Sequence, residues 1–254
     1  MNCSRVHFVG AGPGAVDLIT LRGKALLENA DVIIYTGSLV NPELLTYAKP
    51  DCEVYNSAHM TLSEVIDTML DAVECEKVVV RLHTGDPSLY GAIREQMDRL
   101  NELGIDFDIC PGVSSFNAAA ASLKAEYTLP GVSQTVILTR VAGKTPVPEH
   151  EEIRALAAHR ATMVLFLSAG MPDTVSKELI AGGYAPDTPA AIVYKASWPE
   201  EKIVRCTVGT LAESVAANNI TKTALICIGS FLGDAYELSR LYAADFSTEF
   251  RTGE

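Results

Sequence analysis

Short runs of consecutive apolar residues alternate along this chain with longer stretches in which apolar positions return every three or four residues. The runs Val6–Val9, Asp31–Tyr35, Lys77–His83 and Ile105–Cys110 predict strands, with a weaker one over Glu53–Tyr55. The helical period predicts helices over 20–30, 61–75, 88–103 and 115–123. In the second of these, Leu62, Val65, Ile66, Met69, Leu70 and Val73 form one face, and Thr61 with Glu64 has the spacing of a capping box. Gly104 is placed to stop the third. Strands separated by helices of this length predict βαβ units and a mostly parallel sheet.

Pro130-Gly131, set among the polar residues of Tyr127–Ser133, predicts a junction. Beyond it the alternation restarts, with strands over 134–139, 162–167, 190–195, 202–208 and 224–229 and helices over 149–159, 172–181, 209–218 and 234–242. Pro172 and the pair Gly182-Gly183 bound one of these helices. The turn at Pro199-Glu200-Glu201 suggests a hairpin of the strands around it. The fold class is α/β, with two Rossmann-like domains over 1–125 and 130–240 and a frayed tail over 241–254.

Composition narrows the class. Of 254 residues, 48% are hydrophobic and 20% charged, the balance of a globular chain rather than a disordered one. No apolar run approaches the roughly 20 residues of a membrane-spanning helix. Met1–Arg5 leads into a strand without a signal-like apolar stretch, so the expected location is the cytoplasm and no membrane is expected as a partner. Twenty basic against 32 acidic side chains give a net charge of −12, which disfavours a general nucleic-acid binder but leaves room for a small anionic substrate in a local basic pocket. The cysteines Cys3, Cys52, Cys75, Cys110, Cys206 and Cys227 form no C-x-x-C pair and are expected to be buried, reduced thiols.

Three strand-to-helix turns carry polar or glycine-rich sequence. Gly10-Ala-Gly-Pro-Gly14 has the spacing of a dinucleotide fingerprint in the right strand–turn–helix context. Two features oppose that reading: Pro13 has no N–H to offer a pyrophosphate, and the second strand ends in Tyr35-Thr36-Gly37 without the acidic residue that holds a ribose. A tight βα turn and a rigid loop projecting into a substrate cleft both remain. Thr84-Gly-Asp-Pro-Ser88 follows the β-branched run, so Asp86 either faces a ligand at a strand's C-terminal end or caps a helix near Ser88. His83 is read as either a core histidine or a catalyst. Pro111-Gly-Val-Ser-Ser115 brings adjacent hydroxyls that suit a cap or a ligand. No nucleophile elbow, Walker loop or zinc-binding H-E-x-x-H occurs.

Taken in order, Gly10–Thr20, Ala30–Tyr35, His83–Gly91 and Pro111–Ser115 resemble the tetrapyrrole methyltransferase family, from Val6 to about Gly229. Within it, Tyr35–Val40, Thr135–Arg140, Gly143–Glu149 and Tyr194–Glu200 resemble the branch that methylates C-11 of precorrin-4 or cobalt-precorrin-4 in corrin biosynthesis. The resemblance implies S-adenosylmethionine (SAM) as cosubstrate, held in a cleft between the two domains, S-adenosylhomocysteine (SAH) as product, a tetrapyrrole substrate, a homodimer and no protein-bound metal. By motif position it assigns the cofactor to Gly85, Asp86, Leu89, Tyr90, Ser114, Ser115, Leu167, Ala196, Thr223 and Ala224. It assigns the loop Gly12, Pro13, Gly14 to a substrate trough, to which Asp17, Thr36, Ser38, His59 and Met60 are further candidates; His59 and Met60 read equally well as loop packing. Many members carry Asp directly after Gly-Pro-Gly where this chain has Ala15, so no general base is named. Arg22, Lys24, Arg140, Lys144 and Lys195 are candidates for a basic rim. Trp198, the single tryptophan, lies two residues beyond Ala196 and is either near the cofactor or a surface indole whose N–H meets water. The alternatives kept open are another tetrapyrrole methylase such as uroporphyrinogen III methyltransferase, a dinucleotide-linked oxidoreductase and a non-catalytic binder of the same fold.

Overall fold

A computed structural model describes residues 6–253; Cys3 and the rest of Met1–Arg5 lie outside them. The chain divides into two compact units. One comprises residues 1–119 together with 195–201, and the other 120–194 and 202–254.

The first unit is built on five parallel strands: β1 (Val6–Gly10), β2 (Val32–Tyr35), β3 (Glu53–Asn56), β4 (Val79–His83) and β5 (Phe107–Cys110), in the order β3-β2-β4-β1-β5. β1 and β4 are buried along their whole length, as expected of parallel strands covered on both faces. The two-residue period of a strand sends Val6, Phe8, Val32, Ile34 and Val79 into one core and Val9, Ile33, Val80 and Leu82 into a second on the opposite face. Helices α1 (Leu21–Asn29), α2 (Leu62–Glu74), α3 (Arg94–Glu102) and α4 (Ser115–Leu123) follow strands as predicted. The capping box at Thr61 and Glu64 is formed.

The third helix is shorter than its sequence period implies. It begins at Arg94 rather than near Ser88. Tyr90 and Ala92 adopt left-handed backbone, with φ of 57° and 48°. A β-carbon on Gly91 would lie 2.2 Å from the Pro87 carbonyl, so the chain folds tightly back on itself there before the helix starts.

In the second unit β6 (Val136–Arg140), β7 (Thr162–Phe166), β8 (Pro189–Tyr194), β9 (Lys202–Thr207) and β10 (Ala224–Ile228) form a sheet in the order β6-β7-β10-β8-β9. This sheet is mixed rather than a second parallel one. β6 and β7 run parallel, whereas β10 lies between β7 and β8 antiparallel to both, and β8 and β9 form the expected antiparallel hairpin. Helices α5 (Ile153–Ala157), α6 (Pro172–Gly182) and α7 (Leu211–Ala217) pack with the sheet around Met163, Leu165, Leu179, Ile192 and Ile226. Gly183, at φ 118°, ends α6. The predicted helix over 234–242 reduces to a single 3-10 turn at Arg240–Tyr242. With Leu238 and Tyr242 exposed, no apolar face there finds a core to bury against. No helix of the described residues is long and apolar enough to cross a membrane.

Candidate functional site

In the first unit the chain leaves β1, β4 and β5 at the same end of the sheet, and the three exits meet at glycines. A β-carbon on Gly10 would lie 2.6 Å from both the Gly112 α-carbon and the Gly85 carbonyl oxygen, and one on Gly112 would lie 2.2 Å from the same oxygen. Only glycine permits backbone to approach backbone this closely. The Ala11 N–H donates to the His83 carbonyl at 2.7 Å, while Gly12 and Gly85 exchange N–H···O bonds of 3.2 and 2.8 Å.

These bonds decide what the Gly-Pro-Gly turn can do. The Ala11 N–H is engaged by the last residue of β4 and that of Gly12 by Gly85 just beyond it, that of Ala15 donates to Ser197 Oγ at 3.0 Å, and Pro13 has none. A dinucleotide cradle needs such groups turned toward a pyrophosphate. Among the described residues Gly14 alone of the residues from Ala11 to Ala15 keeps an N–H without a partner, and a single donor is too few for such a cradle. Gly12 (φ 79°) is also required sterically, since a β-carbon there would sit 2.8 Å from the Leu18 carbonyl oxygen.

Asp86 joins two of the exits. One carboxylate oxygen accepts from the N–H and hydroxyl of Ser88, and the other accepts from the Gly112 N–H at 2.8 Å. No helix starts at Ser88, so Asp86 organises a turn and ties it to the β5 exit rather than capping a helix. Burial raises its pKa, but the Ser88 hydroxyl and the Gly112 and Ser88 N–H groups outweigh that and hold the carboxyl below its ordinary value. Leu89 is half-buried beyond this turn and Tyr90 is exposed, while Ser114 is buried and Ser115 opens α4.

His83 is 2% exposed, and among the described residues its Nε2 has no hydrogen-bond partner. Burial, with the neighbouring Arg81 charge, lowers its pKa to about 3, so it is a neutral imidazole at physiological pH. Arg81 is buried too and donates to Gln96 Oε1 and to the Ile34 carbonyl. Thr36, at the exit of β2, has a buried hydroxyl that likewise lacks a partner.

The remaining trough candidates cluster loosely. Gly37 (φ 69°) lies against Ala58, Ser57 Oγ donates to the Tyr35 carbonyl, and Thr84 Oγ1 donates to the Leu39 carbonyl, which gathers the β2, β3 and β4 exits. This brings Thr36 and Ser38 into the same loop cluster as His59 and Met60. His59 and Ser38 are exposed, whereas Met60 packs against the core. Asp17 is exposed, in a depression of about 400 Å³ also lined by Ala15, Asn41 and Trp198.

In the second unit, Leu165 lies opposite Ile226 in the antiparallel pair, and Ala224 pairs with Tyr194. The end of β7 at Leu167 and the start of β10 at Thr223 and Ala224 therefore share one end of that sheet. Leu167 and Thr223 are left-handed, with φ of 53° and 55°, and Leu167 is 66% exposed. Such backbone is costly for a branched side chain and collects at ligand sites. Ala196, buried, belongs to the segment 195–201 that groups with the first unit.

In the first unit the exposed ring of Tyr90 and the Ser115 hydroxyl lie at strand exits, and in the second the exposed Leu167 and the Thr223 hydroxyl do so; within each unit an apolar surface beside a hydroxyl is chemistry that suits an adenosyl group. Among the described residues no group of three or more His, Cys, Asp or Glu gathers to hold a metal ion. Of the basic candidates, Arg140 is engaged by the carbonyls of Val141, Thr145 and Pro146, Lys24 pairs with Glu28, and Lys195 pairs with Glu200. Among the described residues Arg22 and Lys144 are exposed and make no ion pair.

The sequence reading missed Asn41 and Ser197 as parts of this region. Asn41 is 8% exposed and donates to the Gly14 carbonyl at 2.9 Å. Its only sequence signal is its place before Pro42, where it also caps a 3-10 turn. Trp198 is not a surface indole meeting water: its Nε1–H donates to the Pro13 carbonyl at 2.9 Å.

The profile of the family of tetrapyrrole (corrin/porphyrin) methylases matches residues 5–212. A cobalt-precorrin-4 C(11)-methyltransferase of Methanocaldococcus jannaschii is 57% identical over 251 residues, spanning 98% of this chain and 97% of that protein. The X-ray structure of a cobalt-precorrin-4 methyltransferase of cobalamin biosynthesis superposes with a TM-score of 0.88 at 50% identity, over 90% of this chain and 96% of the other. A uroporphyrin-III C-methyltransferase of Thermus thermophilus, crystallised with S-adenosylhomocysteine, gives a TM-score of 0.76 at 29% identity, over 90% of this chain and 98% of the other.

Proposed function

This chain belongs to the tetrapyrrole methylase family, and on that premise we propose that it transfers a methyl group from SAM to C-11 of precorrin-4 or its cobalt complex in corrin biosynthesis. The observation that carries the reading on the chain's own residues is the engaged Gly-Pro-Gly turn. With the Ala11, Gly12 and Ala15 N–H groups already bonded, Pro13 lacking one and only that of Gly14 left over among the described residues, this turn suits the face of a large ring better than a pyrophosphate. The same observation disfavours the oxidoreductase alternative.

When bound, SAM supplies an electrophilic methyl on sulfur, whose transfer to carbon requires the reacting atoms in line and water kept out. The chain's task is then binding and orientation. In this reading Gly85, Asp86, Leu89, Tyr90, Ser114, Ser115 and Ala196 contact SAM from the first unit. Leu167, Thr223 and Ala224 contact it from the second. Asp86 acts by shape: it fixes the turn after β4 against the β5 exit, and Tyr90 and Leu167 offer apolar surface. Gly12, Pro13 and Gly14 receive the tetrapyrrole, with Asp17, Thr36, Ser38, His59 and Met60 around it. Arg22 and Lys144, unpaired among the described residues, are available to its carboxylates. The family resemblance further supports a homodimer in the cytoplasm.

A thermal-shift comparison tests the cofactor assignment. A ligand at 100 times its dissociation constant adds about 2.7 kcal/mol to the state it binds. In a chain of this length that raises the melting temperature by roughly 5–10 °C. SAH is expected to give this shift and NAD, NADP and FAD none. A shift with NAD or FAD and none with SAH would return the oxidoreductase reading.

A further inference from the structure

The Gly-Pro-Gly turn does not hold its shape alone. Trp198 Nε1 donates to the Pro13 carbonyl at 2.9 Å, Asn41 Nδ2 donates to the Gly14 carbonyl at 2.9 Å, and the Ala15 N–H donates to Ser197 Oγ at 3.0 Å. Three consecutive residues are thus each fixed by a side chain far away in sequence. The indole also packs on the turn: a β-carbon on Gly14 would fall 2.0 Å from Trp198 Cδ1. Lys195 Nζ lies 5.1 Å from the centroid of the same indole.

Two of these three ties come from the segment 195–201, which links β8 to β9 yet groups with the first unit. Its backbone is strained on both sides of Ala196, with Lys195 at φ 46° and Ser197 at φ 69°. The Ser197 N–H is anchored in turn by Glu201 Oε2 at 2.6 Å. A seven-residue segment therefore carries Ala196 at one position and the two groups that grip the Gly-Pro-Gly turn at the next two.

We propose that Trp198 and Ser197, with Asn41, are positioning residues that set the turn in its substrate-receiving shape. Through these ties the segment 195–201 couples the two ligands, so that a group bound at Ala196 and a tetrapyrrole on the turn tighten one another. The inference rests on the assignment of Ala196 to SAM and of the turn to the tetrapyrrole. The coupling is reciprocal: each ligand changes the affinity of the other by the same factor.

The test uses full-length Trp198→Phe, which keeps a ring and loses the donor, and Ser197→Ala, which loses the acceptor. SAH affinity is measured by calorimetry with and without the precorrin-4-type substrate, and KM and kcat for that substrate are measured with SAM. In both variants SAH alone is expected to bind within about twofold of the wild type. The tetrapyrrole KM rises roughly three- to tenfold, the effect of one lost neutral hydrogen bond, and the mutual tightening shrinks by a similar factor. Folded variants with unchanged KM and undiminished mutual tightening overturn the inference while leaving the methyltransferase reading intact. A wild-type protein that takes up neither SAH nor the tetrapyrrole overturns that reading, and this inference with it.

Discussion

Asp86 Oδ2 accepts a 2.8 Å hydrogen bond from the N–H of Gly112, a residue 26 positions further along the chain, and so fastens the turn after β4 to the turn after β5. Two loops proposed to hold SAM are thus made one structure by a single carboxylate. Asp86→Ala is expected to weaken SAH binding as well as lower stability by about 1–3 kcal/mol, since it leaves a partly buried N–H without a partner. A simple turn-forming role would lower the melting temperature and leave SAH affinity untouched. The carboxyl is held below its ordinary value of 3.8, so its contribution is complete above that pH and is lost as pH falls through it toward the folded value. Asp86→Asn should remove that acid-side loss, read as a flatter stability profile below about pH 4.

His83 gives a pH dependence in a different window. Its folded pKa of about 3 lies below the ordinary 6.5, so the unfolded chain takes up the proton first as the solution is acidified. Stability should therefore fall between pH 6.5 and 3, with a slope from this residue of at most about 1.4 kcal/mol per pH unit. His83→Leu should flatten the profile from pH 7 to 5 in chemical denaturation. A profile as steep as the wild type's would show that His83 is charged in the folded protein.

The glycine turn should separate the two ligands. Gly12→Ala forces left-handed backbone on a residue with a β-carbon, at roughly 1–2 kcal/mol, and brings that carbon to 2.8 Å from the Leu18 carbonyl. Turnover is expected to fall while SAH affinity stays within about threefold, or roughly 0.7 kcal/mol. Gly14→Ala should expel the indole of Trp198, seen as a red shift of its emission. A large loss of SAH affinity in folded Gly12→Ala would place the cofactor on this turn and contradict its assignment to the tetrapyrrole.

The cysteines differ in reactivity. Cys75 is exposed at the end of α2, contrary to the expectation of uniformly buried thiols, because the helix's last turn faces solvent. Cys227 is fully buried in β10, and its thiol is pushed up to about 12 by burial. Alkylation of the native protein should modify Cys75 first and leave Cys227 unmodified until unfolding. Early labelling of Cys227, read by peptide mass mapping, would contradict the burial of β10.

What the sequence made legible follows from the range of the forces involved. The capping box at Thr61 and Glu64 and the buried runs of β1 and β4 are local patterns, and each appears where its pattern lies. Pro13 and the absence of an acidic residue after Tyr35 argued against a dinucleotide cradle, and the engaged N–H groups around Pro13 add a structural reason. The mixed order of the second sheet was not legible, because a strand such as β10 has the same apolar run whichever neighbour it pairs with. The start of α3 was misread because left-handed backbone at Tyr90 and Ala92 overrides a good helical period. Asn41 and Ser197 escaped notice for the same reason as the three-glycine junction. Their partners lie in remote segments, and no spacing within one segment announces them.

Transfer of a methyl group from SAM to a single ring carbon is the reaction that defines the proposed enzyme. The full-length protein is incubated with methyl-labelled SAM and either precorrin-4 or cobalt-precorrin-4. The product is examined by mass spectrometry and by NMR of the labelled carbon. The predicted result is a gain of one labelled methyl, located at C-11, with one SAH formed per product. Label at another ring carbon would contradict the C-11 assignment, and SAH binding without any labelled product would contradict the enzyme itself.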